Sequence, residues 1–187
     1  MIEDALKYPF QDEKWIKKGL IGSLLTIGSL LIIPAFTLLG YLVRVMREES
    51  LPEFNNILDM TVEGFQASLI ISIYIAAPLT LVSLFESSAL GILGILFIMV
   101  VVYSIYSIIY QLANNGWKAA FSIKVFKNAF TLRYFLGFIL ATLISNLIGI
   151  LYLLSLLFVV TIILLPLVYF YQYLISFRIM AEAVESD

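Results

Sequence analysis

The chain contains no cysteine and no histidine. The first absence removes disulfides, thiolate nucleophiles and cysteine-ligated metals; the second removes the commonest metal ligand and the usual general base near neutral pH. Charge is scarce too. Only 13% of the 187 residues are Asp, Glu, Lys or Arg, about half the share of an ordinary soluble domain, while 62% are hydrophobic. A net charge of −2 points to no charged partner, so nucleic acid is not expected. The opening MIEDALKYPFQDEKW holds no short apolar core before a small-residue cleavage site, so no cleaved signal peptide is expected. No H-E-x-x-H, G-x-S-x-G or Walker loop occurs. The 13 acids all lie outside the long apolar runs or, like Glu86, at a turn, which argues against proton relays and ion coupling. Asp59 and Glu63 read as a solvated polar face rather than a metal pair. No catalytic, cofactor-binding or metal-ligating residue is therefore expected, and the chain reads as a non-enzyme.

What is present is apolar sequence in long runs. From Tyr134 to Phe177, 44 residues pass without a charge between Arg133 and Arg178. A straight helix of that length would extend roughly 66 Å, about twice a hydrocarbon core of roughly 30 Å, so the run must fold as a hairpin. The fold class expected is all-α: an integral membrane helical bundle of about five transmembrane helices plus two interfacial amphipathic segments. A polar head covers 1–18, a single transmembrane domain 19–178, and a short tail 179–187. The spans fall at about 19–43, 66–84, 89–113, 134–153 and 157–177. The last reversal is expected in 150–156, with a break at 146–149 as the alternative. One interfacial segment is Ser50 to Phe65, where Ser50 and Glu53 have capping-box spacing and Phe54, Ile57, Leu58, Thr61 and Phe65 recur at helical intervals. The other is the basic, aromatic connector from Asn114 to Arg133.

Membrane-interface positions are assigned to Trp15, Arg44, Arg47, Trp117, Lys118, Lys124, Lys127 and Arg133. In the connector, cations interleaved with aromatics suit a grip on anionic headgroups. Pro34, Pro78 and Pro166 lie inside spans and are expected to kink them. Two small-residue stripes, Gly137, Ala141, Ser145 and Gly149 on one span and Ser68, Ser72, Ala76 and Thr80 on another, recur every fourth residue. Each keeps to one helix face and suits close backbone packing, inside the bundle rather than between copies. Asn146, the most polar side chain deep in the long run, reads as a hydrogen-bonding group between helices.

Further motifs follow in a fixed order: Tyr8-Pro9-Phe10 ahead of Trp15, Pro34, Gly40-Tyr41-Leu-Val-Arg44, Leu51-Pro52-Glu53-Phe54, Glu63-Gly64, and Tyr74 with Pro78. Then come Gly116 with Ala119-Ala120-Phe121 and, last, Leu165-Pro166 before an aromatic run. This order resembles a family of small multi-pass membrane proteins of unknown function found chiefly in archaea. The likeness covers nearly the whole chain, with Asn114-Asn115 as a departure. It implies a membrane protein of archaeal origin and brings no catalytic residues.

The expected location is the cytoplasmic membrane, with the lipid bilayer and a membrane-protein partner or second copy as partners and with no cofactor. The expected role is a scaffold, complex subunit or lipid-organising protein. The alternative is a passive channel or facilitator for a small neutral solute, which a polar stripe joining Asn146, Ser72, Thr80 and Ser107 around a cavity would favour. Five crossings put the termini on opposite sides, and basic residues numbering 7 against 4 place the N-terminus outside. If 19–43 instead dips in and returns at Pro34, the head lies inside as well.

Overall fold

A computed structural model describes residues 2–85, 88–155 and 159–185. Its helices are α1 (Ile2–Lys7), α2 (Trp15–Gly28), α3 (Ile32–Val45), α4 (Ile57–Phe85), α5 (Ala89–Asn115), α6 (Trp117–Ala120), α7 (Lys124–Ala129), α8 (Leu132–Ser155) and α9 (Val159–Glu185), with a 3-10 turn at Tyr8–Phe10. Among the described residues there is no strand. Four helices among the described residues, α4, α5, α8 and α9, are long and apolar enough to cross a membrane. The all-α helical bundle is as expected.

The stretch expected as a first span, 19–43, is instead divided. Helices α2 and α3 have 14 residues each, about 21 Å apiece and short of a hydrocarbon core. They are separated at Ser29–Leu31, where Leu31 is extended (φ −100°, ψ 147°). Pro34 therefore kinks no helix. It stands in the first turn of α3, where its missing N–H goes unneeded. The start of α2 and the end of α3 lie together, since Lys18 Nζ donates to the Leu51 carbonyl at 2.7 Å. The pair is a helical hairpin that returns to the end of the bundle from which it starts.

Its depth follows from the packing of α3 against α4. The two run antiparallel, with the Phe36 ring 5.5 Å from Phe65 and Thr37 Oγ1 2.7 Å from Thr61 Oγ1. Gly40 and Gly64 cross backbone against backbone: a Cβ on either would fall inside a carbonyl of the other helix, Met60 or Phe36. In this register Leu31 is level with Ile70, and α4 continues about 15 residues, or about 22 Å, beyond the tip. The tip itself is bare, with Leu30 93% exposed and Leu31, Ile32 and Ile33 also exposed.

Two further expectations change. Ser50 to Phe65 is not a separate surface helix: residues 51–56 lack helical structure, and α4 starts at Ile57 and runs on without a break. The buried positions Met60, Gly64, Ala67 and Ile70 keep one helical phase through the expected boundary, so nothing ends the helix there. The termini, expected on opposite sides, share one end. Ala5 of α1 packs against Ile175 and Ile179 of α9, and Tyr8 lies under Arg178. Helix α8 continues through 146–149 to Ser155, so the reversal expected in 150–156 is not found in 150–155. Residue 156, and Glu86 and Ser87 of the expected turn, lie outside the described residues. Helix α9 absorbs the expected tail as far as Glu185.

One end of the bundle thus collects the head, the feet of the hairpin, the start of α4, the end of α5, the connector, the start of α8 and the end of α9. All 11 Lys and Arg residues belong to these segments. The core sits in the same half, with buried side chains on α5 from Val101 onward, on α8 at Tyr134 and Ala141, and on α9 from Phe170 onward. Toward the far end α4 and α5 meet closely, Gly94 against Pro78 and Val82.

Candidate functional site

The polar end is organised around a strap without helical structure, 48–54, between α3 and α4. A non-helical segment leaves carbonyls unpaired, and burying them unpaired is costly. Here side chains from other elements supply the donors. The single Tyr8 O–H lies between the carbonyls of Ser50 (2.9 Å) and Glu48 (3.2 Å) and donates chiefly to Ser50, and Arg178 Nη1 donates to Glu48 (3.2 Å). Lys18 serves Leu51, and Tyr41 Oη donates to Pro52 at 3.2 Å while its ring stacks on Phe54 at 4.2 Å. Four elements are thereby fastened to one strap: the 3-10 turn, α2, α3 and α9.

Lys18 is only 3% exposed, and its charge is met by Asp12 at 2.7 Å and Glu53 at 3.3 Å. Its hydrogen bond holds the Asp12 carboxyl below the usual carboxylate range. The Arg178 guanidinium sits 5.2 Å over the Tyr8 ring and pairs with Glu182 at 3.2 Å. Burial pushes the Tyr8 phenol up. Sequence reasoning did not single out Tyr8, Lys18, Tyr41 or Arg178 as a set. The signal was there in scattered form, because Tyr8-Pro9-Phe10, Gly40-Tyr41 and Leu51-Pro52-Glu53-Phe54 all converge on this strap.

Of the interface residues, Trp15 joins an aromatic group with Phe10 (5.2 Å) and Tyr171 (6.3 Å). Arg44 makes a forked pair with Glu63 at 3.0 and 3.3 Å, bridging α3 and α4, and Arg47 reaches Glu63 at 3.9 Å. Lys118, Lys124, Lys127 and Arg133 are exposed and have no carboxylate within ion-pair distance among the described residues. Trp117 is exposed beside them. The connector carrying them is tied to the bundle at two carbonyls, Tyr74 Oη to Ala120 (2.9 Å) and Ser107 Oγ to Val125 (2.8 Å). Lys124, Lys127, Asn128 and Thr131 line a cavity of about 460 Å³ whose other walls include Gln111 and Asn115 of α5 and Glu185 of α9.

The small-residue stripes divide. Gly137 lies against Ala183 and Met180 of α9, and Ala141 is buried. Ser145 is half-buried and Gly149 meets only open space. On α4, Ser68 is half-buried while Ser72, Ala76 and Thr80 face outward. The closest helix approach lies elsewhere, at Gly40 and Gly64. No repeat within one helix reveals it, because each helix contributes a single glycine. Asn146 is exposed and donates to Thr142 on its own helix (2.8 Å). Ser72 and Thr80 are likewise exposed on α4, whereas Ser107 is buried and committed to the Val125 carbonyl. Pro78 and Pro166 lie within α4 and α9.

No curated protein and no solved structure matches the chain. Residues 27–165 match the model of a family described as "Protein of unknown function (DUF4013)". That match runs from the end of α2 through α9 as far as Leu165 and takes in the hairpin tip, the Gly40–Gly64 crossing, the strap and the connector. The chain therefore belongs to the DUF4013 family.

Proposed function

We propose that this protein is a non-enzymatic, multi-pass protein of the cytoplasmic membrane that organises lipid or holds a membrane partner, with both termini in the cytoplasm. The observation that carries this reading is the gathering of all 11 basic residues at one end, while the two connections at the other end contain none. Loops rich in Lys and Arg stay on the cytoplasmic side. With four crossings and a returning hairpin, that rule applies without conflict. The outward positions of Ser72, Thr80 and Asn146 favour this role over a passive facilitator, which needs polar groups facing a shared interior. The test is swelling of proteoliposomes in small neutral solutes such as glycerol and urea, followed by light scattering. Rates equal to those of empty vesicles are expected. Solute-selective acceleration would replace the scaffold with a facilitator.

A further inference from the structure

We propose that the cavity between α5, α7 and the end of α9 binds the phosphate of an anionic membrane lipid. The inference rests on the lipid-organising reading above and names its site. Lys14, Lys18, Arg44, Arg47 and Arg178 all have carboxylates within ion-pair distance. Lys124 and Lys127, three residues apart on α7, have none among the described residues, and both line the cavity. Residues so spaced are neighbours on a helix surface, so their ammonium groups serve one anion. Glu185 shares the rim but lies beyond ion-pair distance of both lysines.

The neutral donors agree. Gln111 is buried, and its Oε1 is already taken by Asn115 Nδ2 at 2.9 Å. Its amide NH₂ is left as a donor at the cavity wall, and the Asn128 amide is a second. Thr131 is committed elsewhere, donating to the Asn128 carbonyl at 2.9 Å. Besides Tyr110 and the single carboxylate of Glu185, the lining offers two ammoniums and two amide donors around about 460 Å³, a donor set that matches phosphate oxygens. A lipid rather than free phosphate follows from the surroundings. Ile123 and Phe130 flank α7 and are 84% and 68% exposed, which seats the helix at the boundary of headgroups and acyl chains.

The test is thermal stability of the purified full chain in mild detergent, titrated with phosphatidylglycerol, phosphatidylcholine or inorganic phosphate. Phosphatidylglycerol alone should raise the melting temperature. Lys124→Ala with Lys127→Ala should weaken its half-saturating concentration about thirtyfold, from the worth of two surface lysines near anionic lipid. Lys124→Arg with Lys127→Arg should restore it. Lys7→Ala with Lys17→Ala removes the same charge elsewhere and should leave it unchanged. An undiminished response in the double alanine variant, or an equal loss in the Lys7/Lys17 variant, would overturn the site. Stabilisation by inorganic phosphate to the same extent would overturn the lipid assignment. Equal stabilisation by both lipids would sink the site and leave the membrane reading standing, whereas no response to either would sink both.

Discussion

Lys18 is the residue on which the polar end turns, because a nearly buried ammonium is tolerated only when its hydrogen bonds are all made. Three oxygens meet it, from Asp12, Leu51 and Glu53, and two of these lie far along the chain. Asp12→Asn should therefore cost about 1–3 kcal/mol at neutral pH, read as a fall in melting temperature in detergent. The pH dependence has a definite sign. Because Lys18 lowers the Asp12 pKa in the folded protein, the contribution is complete above the ordinary carboxylate range, near pH 4, and fades as pH falls through the lowered value. The wild type should lose stability on acidification below about pH 4 more steeply than Asp12→Asn. Parallel curves for the two proteins would remove Asp12 from the account. A sequence cannot announce such a residue. Lys17 and Lys18 are adjacent and identical in kind, and only the strap's carbonyl distinguishes the buried one from the exposed one.

At the scale of helices, hydropathy located what it can measure. Helices α4, α5, α8 and α9 stand near the runs read from sequence, because length and apolarity are what a crossing requires. The hairpin of α2 and α3 is only the alternative reading of 19–43 that the sequence offers. An apolar run of 25 residues has one composition whether it crosses or turns back, and Gly28, Ser29 and Pro34 are the local marks of the break. Packing was legible in kind but not in place. Small residues do bring the helices together, yet the decisive pair is Gly40 and Gly64, on different helices and brought together by the strap between them. Gly40→Ala or Gly64→Ala should cost about 3 kcal/mol or more, since backbone cannot yield as a side chain does. Ala141→Leu should also destabilise, while Ser72→Leu and Gly149→Ala should change the melting temperature little. If Ser72→Leu proved as harmful as Gly64→Ala, the outward face of α4 would have to be a packed interface.

For the whole molecule, the proposed reading replaces the orientation expected from five crossings by one in which both termini share a side. The absence of cysteine makes this measurable without background. Single cysteines at Gln11, Ser50 and Asn115 should resist an impermeant thiol reagent in intact cells and react once the membrane is opened. Ser88→Cys, at the start of α5, should react in intact cells. Labelling at Gln11 together with Ser88 would restore a full first crossing and undo the hairpin.

On the membrane placement proposed above, the hairpin also sets the outline of the protein within the bilayer. Near the polar end six helical rods, α2, α3, α4, α5, α8 and α9, compete for area; past Leu31 only four remain. The two leaflets must therefore surrender unequal numbers of lipids to the same molecule. A sheet of such wedges relaxes by bending, with the leaflet at the polar end on the convex side. Sorting between small and large vesicles reports it: chains with the polar end outward should accumulate on the more curved membranes, and equal density on both sizes would remove the wedge.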